Sequence, residues 1–265
     1  MLDESLIFIK LGGSLITDKN TPNTARPDLI HALVSAIKRA SHENPELKII
    51  LGHGSGSFGH TAGDKFKTHG GVYTPEEWDG FHQVWQAAHA LNQIVLDHCF
   101  WTGLPVVSFP PSASVHTKDH EINAWELAPI KAALATGLVP LVYGDVVFDT
   151  NIGGTILSTE ELFAYLAPIF QPGRILLAGI EPCVWADYPV CQQILPQITS
   201  STNLSLALQG SASVDVTGGM RSKVALILSL ARQIPGLQAR IFSAQAPDDL
   251  YHAILGAPLG TLITN

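Results

Sequence analysis

The stretch GHGSGSFGH (residues 52–60) follows the apolar run LKIIL (residues 47–51), and its reading decides the fold. Gly54, Gly56 and Gly59 spell G-x-G-x-x-G behind an expected strand, the form of a dinucleotide-binding fingerprint. The same spacing also suits a loop whose backbone N–H groups cradle some other phosphate. That fingerprint normally lies in the first βαβ unit, with an acidic residue about 20 positions on at a strand end. Here an earlier run, SLIFIKL (residues 5–11), already ends in a glycine loop. The acids at that distance, Glu76, Glu77 and Asp79, fall in a helix start. The nicotinamide reading is the weaker of the two on these residues and stays open at this point.

Outward from the loop, short apolar runs recur: PVVSF, LVPLVY, RILLAG, ARIF and TLIT. Segments of helical spacing lie between most of them, namely residues 26–40, 74–100, 124–137, 158–170 and 220–234. Strands alternating with helices predict a mainly parallel sheet covered on both faces, an α/β fold. VVFDTNIGGTIL (residues 146–157) has strand-like ends around an Asn/Gly turn and is expected to form a hairpin. No linker composition and no repeat divides the chain, so one domain with two lobes is expected. The soft boundary falls between Ser158 and Gly173, giving lobes of about 1–165 and 166–265.

Composition narrows the function. A net charge of -8 without a basic block argues against nucleic acid. Cys99, Cys183 and Cys191 lack C-x-x-C spacing, which argues against a disulfide framework or structural zinc and fits a reducing cytoplasm. MLDESLIFIK has no basic leader region, and no apolar run reaches the roughly 18 residues a membrane span needs. A cytoplasmic protein without membrane contact is the expectation. His116 and His120 have i,i+4 spacing but no third ligand nearby, so no resident metal is expected.

Four segments concentrate chemistry: IKLGGSLITDK (residues 9–19), the opening loop, LVYGDVVFD (residues 141–149) and DVTGGMRSKV (residues 215–224). A Gly-Gly pair after a strand is by itself most often a tight turn, and a lone lysine a solvated face. Two Gly-Gly-plus-lysine elements and a glycine-rich strand-to-helix loop in one chain point instead to a clamp for a phosphoryl group in transfer. No G-x-x-x-x-G-K-[ST] and no G-x-S-x-G offers competing machinery.

Taken in order, IKLGGSLITDK, GHGSGSFGH, VPLVYGDVVFD, ILS and DVTGGMRSKV resemble the amino-acid kinase superfamily, and within it the isopentenyl phosphate kinases. The closing GTLIT is similar to that family's last strand. The resemblance implies a three-layer αβα sandwich, usually a homodimer, that transfers the γ-phosphoryl of MgATP to isopentenyl phosphate. It implies that Lys10, Gly12, Gly13, Ser14, Gly56, Gly219 and Lys223 hold ATP, and that Lys19 stabilises the γ-phosphoryl in flight. Ser55, His60 and Gly153 would face the acceptor's phosphate, and His60 would donate to its oxygens.

The resemblance implies that a helix within the segment Tyr73 to Trp101 walls the prenyl tail. Phe81, His82, Trp85 and His89 fall on roughly one face of it, a stripe that reads equally as plain core. The chain departs from the family at Gly179–Val184, where relatives read Asp-Val-Asp-Gly-Val, so the adenine and ribose contacts stay unassigned. ILSTEE replaces ILSGD, which leaves Glu160 to orient the active-site lysines. Two other readings remain: a kinase of another small phosphate or phosphonate, of the fosfomycin type, and a non-catalytic small-molecule sensor.

Overall fold

In a computed structural model, residues 2–59, 66–202 and 219–265 are described. The first strand, β1 (Asp3–Leu11), shows why the apolar runs are continuous instead of alternating. Leu6 and Phe8 point into one core cluster, while Ile7, Ile9 and Leu11 point into another on the opposite face. A strand covered on both sides has no polar face to display.

The two cores define three layers. On one side, α2 (Pro27–Glu43), α3 (Pro75–Thr102) and α8 (Pro247–Ile254) contribute Leu33, Leu91 and Leu250. On the other, α5 (Ala128–Ala135), α6 (Thr159–Phe170) and α7 (Gly219–Gln233) contribute Ile130, Phe163 and Ile227. Between them lies an eight-stranded sheet of β1, β2 (Lys48–His53), β3 (Val106–Ser108), β6 (Val139–Tyr143), β9 (Pro172–Gly179), β12 (Gln197–Ile198), β13 (Gln238–Ser243) and β14 (Thr261–Ile263). Its order is β12-β14-β13-β9-β1-β2-β6-β3, and β14 alone of these runs antiparallel to a neighbour, β13. The expected αβα architecture with a mainly parallel sheet is therefore the observed one. No described helix is long and apolar enough to cross a membrane.

A second sheet has the order β5-β4-β7-β8, built from β4 (Val115–Lys118), β5 (Glu121–Trp125), β7 (Asp145–Asp149) and β8 (Gly153–Leu157). The expected hairpin is β7–β8, pairing Asp149 with Gly153 and Asp145 with Leu157. His116 and His120 are not on a helix. His116 lies on β4 and His120 in the β4–β5 turn, where Asp119 and His120 both have positive φ. The helix expected over residues 124–137 is shorter, because Trp125 completes β5 and the helix starts only at Ala128–Pro129.

The long helix α3 begins as its Thr-Pro-Glu-Glu sequence predicts. Thr74 Oγ1 accepts from the Glu77 amide at 3.3 Å, and the Glu77 carboxylate accepts from the Thr74 amide at 2.8 Å, a closed capping box. It ends at Gly103, whose φ of 70° favours a residue without Cβ.

Candidate active site: two glycine loops and a lysine pair on a buried carboxylate

Because β1 is parallel to β2 and β9, their following loops emerge at the same edge of the sheet. The crevice outside the carboxyl ends of such strands is where α/β sheets bind ligands. Two glycine loops meet there. After β1, Gly12 and Gly13 lead into α1 (Gly13–Ile16), and after β2, Gly54–Gly56 lead into a helical turn at residues 56–59. The loops interlock backbone to backbone. A Cβ on Gly13 would sit 2.3 Å from the Gly56 nitrogen, and one on Gly54 would sit 2.8 Å from the Gly13 nitrogen. Gly56 has φ +50°, and a side chain there would strike Thr17 Oγ1. Glycine is needed on both sides for two sets of amides to share one crevice.

The turn carrying Lys19 is stitched to this pair. The Ser57 amide donates to Thr17 Oγ1 at 3.0 Å, and Thr17 bridges to Ala25 across the loop. Lys19 itself is exposed on the turn, and Ser14 is half-buried in α1. Ser55 closes the second loop, its carbonyl accepting from Phe58 at 3.1 Å and Gly59 at 3.4 Å. His60 and Gly218 lie outside the described residues.

Beneath the loops, Lys10 is on β1 with Gly52 as its neighbour on β2. A Cβ on Gly52 would lie 2.5 Å from Thr159 Cγ2, so the missing side chain lets the start of α6 press onto β2. The Thr159 hydroxyl then donates to the His53 carbonyl at 2.6 Å. Ser158 caps α6 in a second capping box with Glu161. Glu160, between the two residues of the box, is thereby carried against Lys10, with which it is ion-paired. Lys223, one turn into α7 behind Gly219 (φ 60°), reaches Glu160 Oε1 at 3.8 Å. Burial pushes the Glu160 carboxyl up, but Lys10 and Lys223 outweigh it and hold the group below the usual carboxylate range. Two lysines around one carboxylate leave a net positive charge under the glycine loops, suited to a polyphosphate.

The sequence-expected residues Lys10, Gly12, Gly13, Gly56, Glu160 and Lys223 are thus brought together. Gly153 begins β8, with φ +75°, where a Cβ would collide with the Val72 carbonyl. Glu160 lies beyond the opposite end of that strand. Asp145 and Asp149 serve the scaffold. Asp145 accepts from the Ser112 amide at 3.2 Å, and burial pushes its carboxyl up to about 6. Asp149 accepts from the amides of Asp119, His120, Asn151 and Ile152. Burial would raise its pKa, but these donors hold it well below the usual range.

The stripe on α3 is graded in burial. Phe81 is buried in a small apolar cluster with Val72, Val84 and Val146, and its ring lies 5.3 Å from that of Phe148 on β7. His82, Trp85 and His89 stack in a ladder at 5.8 and 5.3 Å, with both histidines exposed. Trp85, half-buried, also packs against the Phe81 cluster, so the stripe runs from that apolar cluster out to the two exposed histidines.

One buried group beside the loops is not among the site residues expected from the sequence. His53 is buried directly before the second glycine loop, with Nδ1 3.1 Å from the Gly54 carbonyl and Nε2 3.3 Å from the Asn92 side chain. Its ring stacks on Tyr143 at 5.2 Å and 2°. Burial, with Lys10 adding to it, lowers its pKa to about 4 despite these hydrogen bonds. The Asn92 atom facing Nε2 is its Oδ1, and the Asn92 NH2 donates to Ser108 Oγ at 3.1 Å. The position before the loop was the available signal.

A crevice at the strand ends, two glycine loops and a lysine pair are the working parts of a phosphoryl-transfer site on an αβα sandwich. Residues 5–243 match the model of the amino acid kinase family, and the chain belongs to that family. Its relatives include the isopentenyl phosphate kinase of Methanocaldococcus jannaschii, 32% identical over 97% of this chain and 98% of its own length. That of Methanothermobacter thermautotrophicus is 31% identical over 98% and 99%. A solved isopentenyl phosphate kinase structure, 28% identical, superposes with a TM-score of 0.83 over 98% of this chain and all of that one.

Proposed function

We propose that this chain transfers the γ-phosphoryl group of ATP to isopentenyl phosphate, giving isopentenyl diphosphate and ADP. The observation that carries the reading is the Lys10–Glu160–Lys223 cluster under two interlocked glycine loops. Relatives covering the chain end to end and named isopentenyl phosphate kinase support the choice of acceptor.

A phosphate oxygen of the acceptor attacks the γ-phosphorus as the bond to the bridging oxygen of ADP breaks. The acceptor is already an anion, so no strong base is needed to activate it. The barrier to lower is repulsion between two phosphates and the charge spread over the γ-oxygens. In this reading Lys10, Gly12, Gly13, Ser14, Gly56, Gly219 and Lys223 hold ATP, and Glu160 keeps the two lysines apart and aimed. Lys19, on its exposed turn beside Thr17, swings onto the γ-phosphoryl. Ser55, His60 and Gly153 hold the acceptor's phosphate, and the apolar surface around Phe81 and Trp85 takes its hydrocarbon tail. Magnesium arrives bound to ATP and belongs to the substrate.

Residues of about 1–165 form the acceptor lobe and about 166–265 the nucleotide lobe, joined where β9 pairs with β1. We infer a cytoplasmic homodimer. Steady-state turnover of MgATP with isopentenyl phosphate, dimethylallyl phosphate, fosfomycin and small alkyl phosphates tests the assignment. The highest kcat/KM is expected for isopentenyl phosphate, and turnover of fosfomycin without it would reverse the choice.

A further inference from the structure

Two arginines lie side by side on adjacent parallel strands, well away from the lysine pair. Arg174 on β9 pairs in register with Gln238 on β13, and Arg240 pairs with Leu176. Arg174 and Leu176 face the layer of α2 and α8, whereas Leu177, the neighbour of Lys10, faces the opposite core. Arg174 and Arg240 line a cavity of about 160 Å3, closed by Gln238, Ala253 and Gly256.

Among the described residues, both side chains donate to backbone carbonyls alone. Arg174 donates to the Ala253 and Ile254 carbonyls at 3.0 and 2.8 Å, closing the C-terminus of α8. Arg240 donates to the Leu259 carbonyl at 3.1 Å. A guanidinium carries five N–H donors, so among the described residues most donors of both forks have no partner. Neither arginine forms an ion pair among the described residues, and no carboxylate lines the cavity. The helix terminus offsets only about half a charge. Burial and the neighbouring Arg240 both lower the pKa of Arg174, which is the mark of a cation short of an anion.

We propose that this cavity is a second oxyanion site, separate from the transfer site, that takes a phosphate dianion or the phosphoryl end of a small metabolite. Paired, half-buried guanidinium forks match tetrahedral oxyanions, which accept two parallel N–H donors. Occupancy ties the end of α8 and the turn before β14 to the body of the sheet.

The test is calorimetric titration of inorganic phosphate, and of methyl phosphate, into the full chain at constant ionic strength against chloride. Wild type is compared with Arg240→Gln and Gln238→Glu, the second of which places a carboxylate at the cavity rim and covers the case that the first does not fold. Each variant is expected to lose one phosphate-binding event or weaken it by about tenfold or more, the scale of a charge-assisted hydrogen bond. Turnover measured without added phosphate should stay unchanged in both. Methyl phosphate binding as well as phosphate assigns the site to a phosphoryl end, and phosphate alone to the free anion. Phosphate stoichiometry and affinity equal in wild type and both variants would overturn the proposal, as would no binding to wild type.

Discussion

Glu160 Oε1 lies 3.8 Å from Lys223 Nζ while the same buried carboxylate is ion-paired with Lys10. One acid thus joins the end of β1 to the N-terminal part of α7. Glu160→Gln keeps the shape and removes the charge, leaving two cations facing each other. Removing one partner of a buried pair costs about 3–5 kcal/mol, and misplaced lysines should lower kcat by about 100-fold. Glu160→Asp should recover much of the rate, because the relation is electrostatic. Equal loss in both variants, in denaturant titrations and steady-state kinetics, would assign Glu160 to packing alone.

Gly13→Ala tests the interlocked loops. The new methyl would meet the Gly56 backbone, which has no flexible end to move aside. Overpacking of this kind costs about 1–3 kcal/mol. ATP affinity should fall together with acceptor affinity, since both loops must shift. A loss confined to one substrate would show that the loops act independently.

His53 and Asp145 should oppose each other in acid. His53 is held from 6.5 down to about 4, so between those values unfolding takes up a proton and stability falls as pH falls. Asp145 is raised from 3.8 to about 6, so unfolding there releases a proton and stability falls as pH rises. From about pH 4 to 6 the two nearly cancel. Relative to wild type, His53→Asn should lose stability as pH rises through that window, by roughly 1 kcal/mol per pH unit. Asp145→Asn should do the opposite. Urea midpoints at pH 4.5 and 6 read the slopes, and slopes unchanged by either variant would contradict the burial argument.

Lys19 and His60 separate the chemical step from acceptor binding. Lys19→Ala should reduce kcat far more than it weakens ATP binding, because its contact is strongest in the transition state. His60→Ala should raise the acceptor's KM and reduce turnover while ATP affinity holds. Selective loss of ATP binding in the histidine variant would move His60 to the nucleotide side.

Much of this was legible in the chain because each central strand is an apolar run with both faces covered, and each glycine loop follows one directly. Lys10, Gly12, Gly13 and Gly56 are read from that local order. The β4–β5 hairpin was not legible: VHTK is short and half exposed, and HTKDH imitates helical spacing. Neither His53 with Asn92 nor Arg174 with Arg240 leaves a local pattern. Those partners meet only through helix packing and strand register, which a single sequence does not display.

The central claim is that the γ-phosphoryl of ATP ends on another phosphate. Phosphorus NMR of the protein with MgATP and isopentenyl phosphate reads this directly. The account predicts that the acceptor's phosphomonoester signal is replaced by the two coupled signals of a diphosphate ester as ADP appears. ADP accompanied only by free inorganic phosphate, with the acceptor signal unchanged, would contradict it.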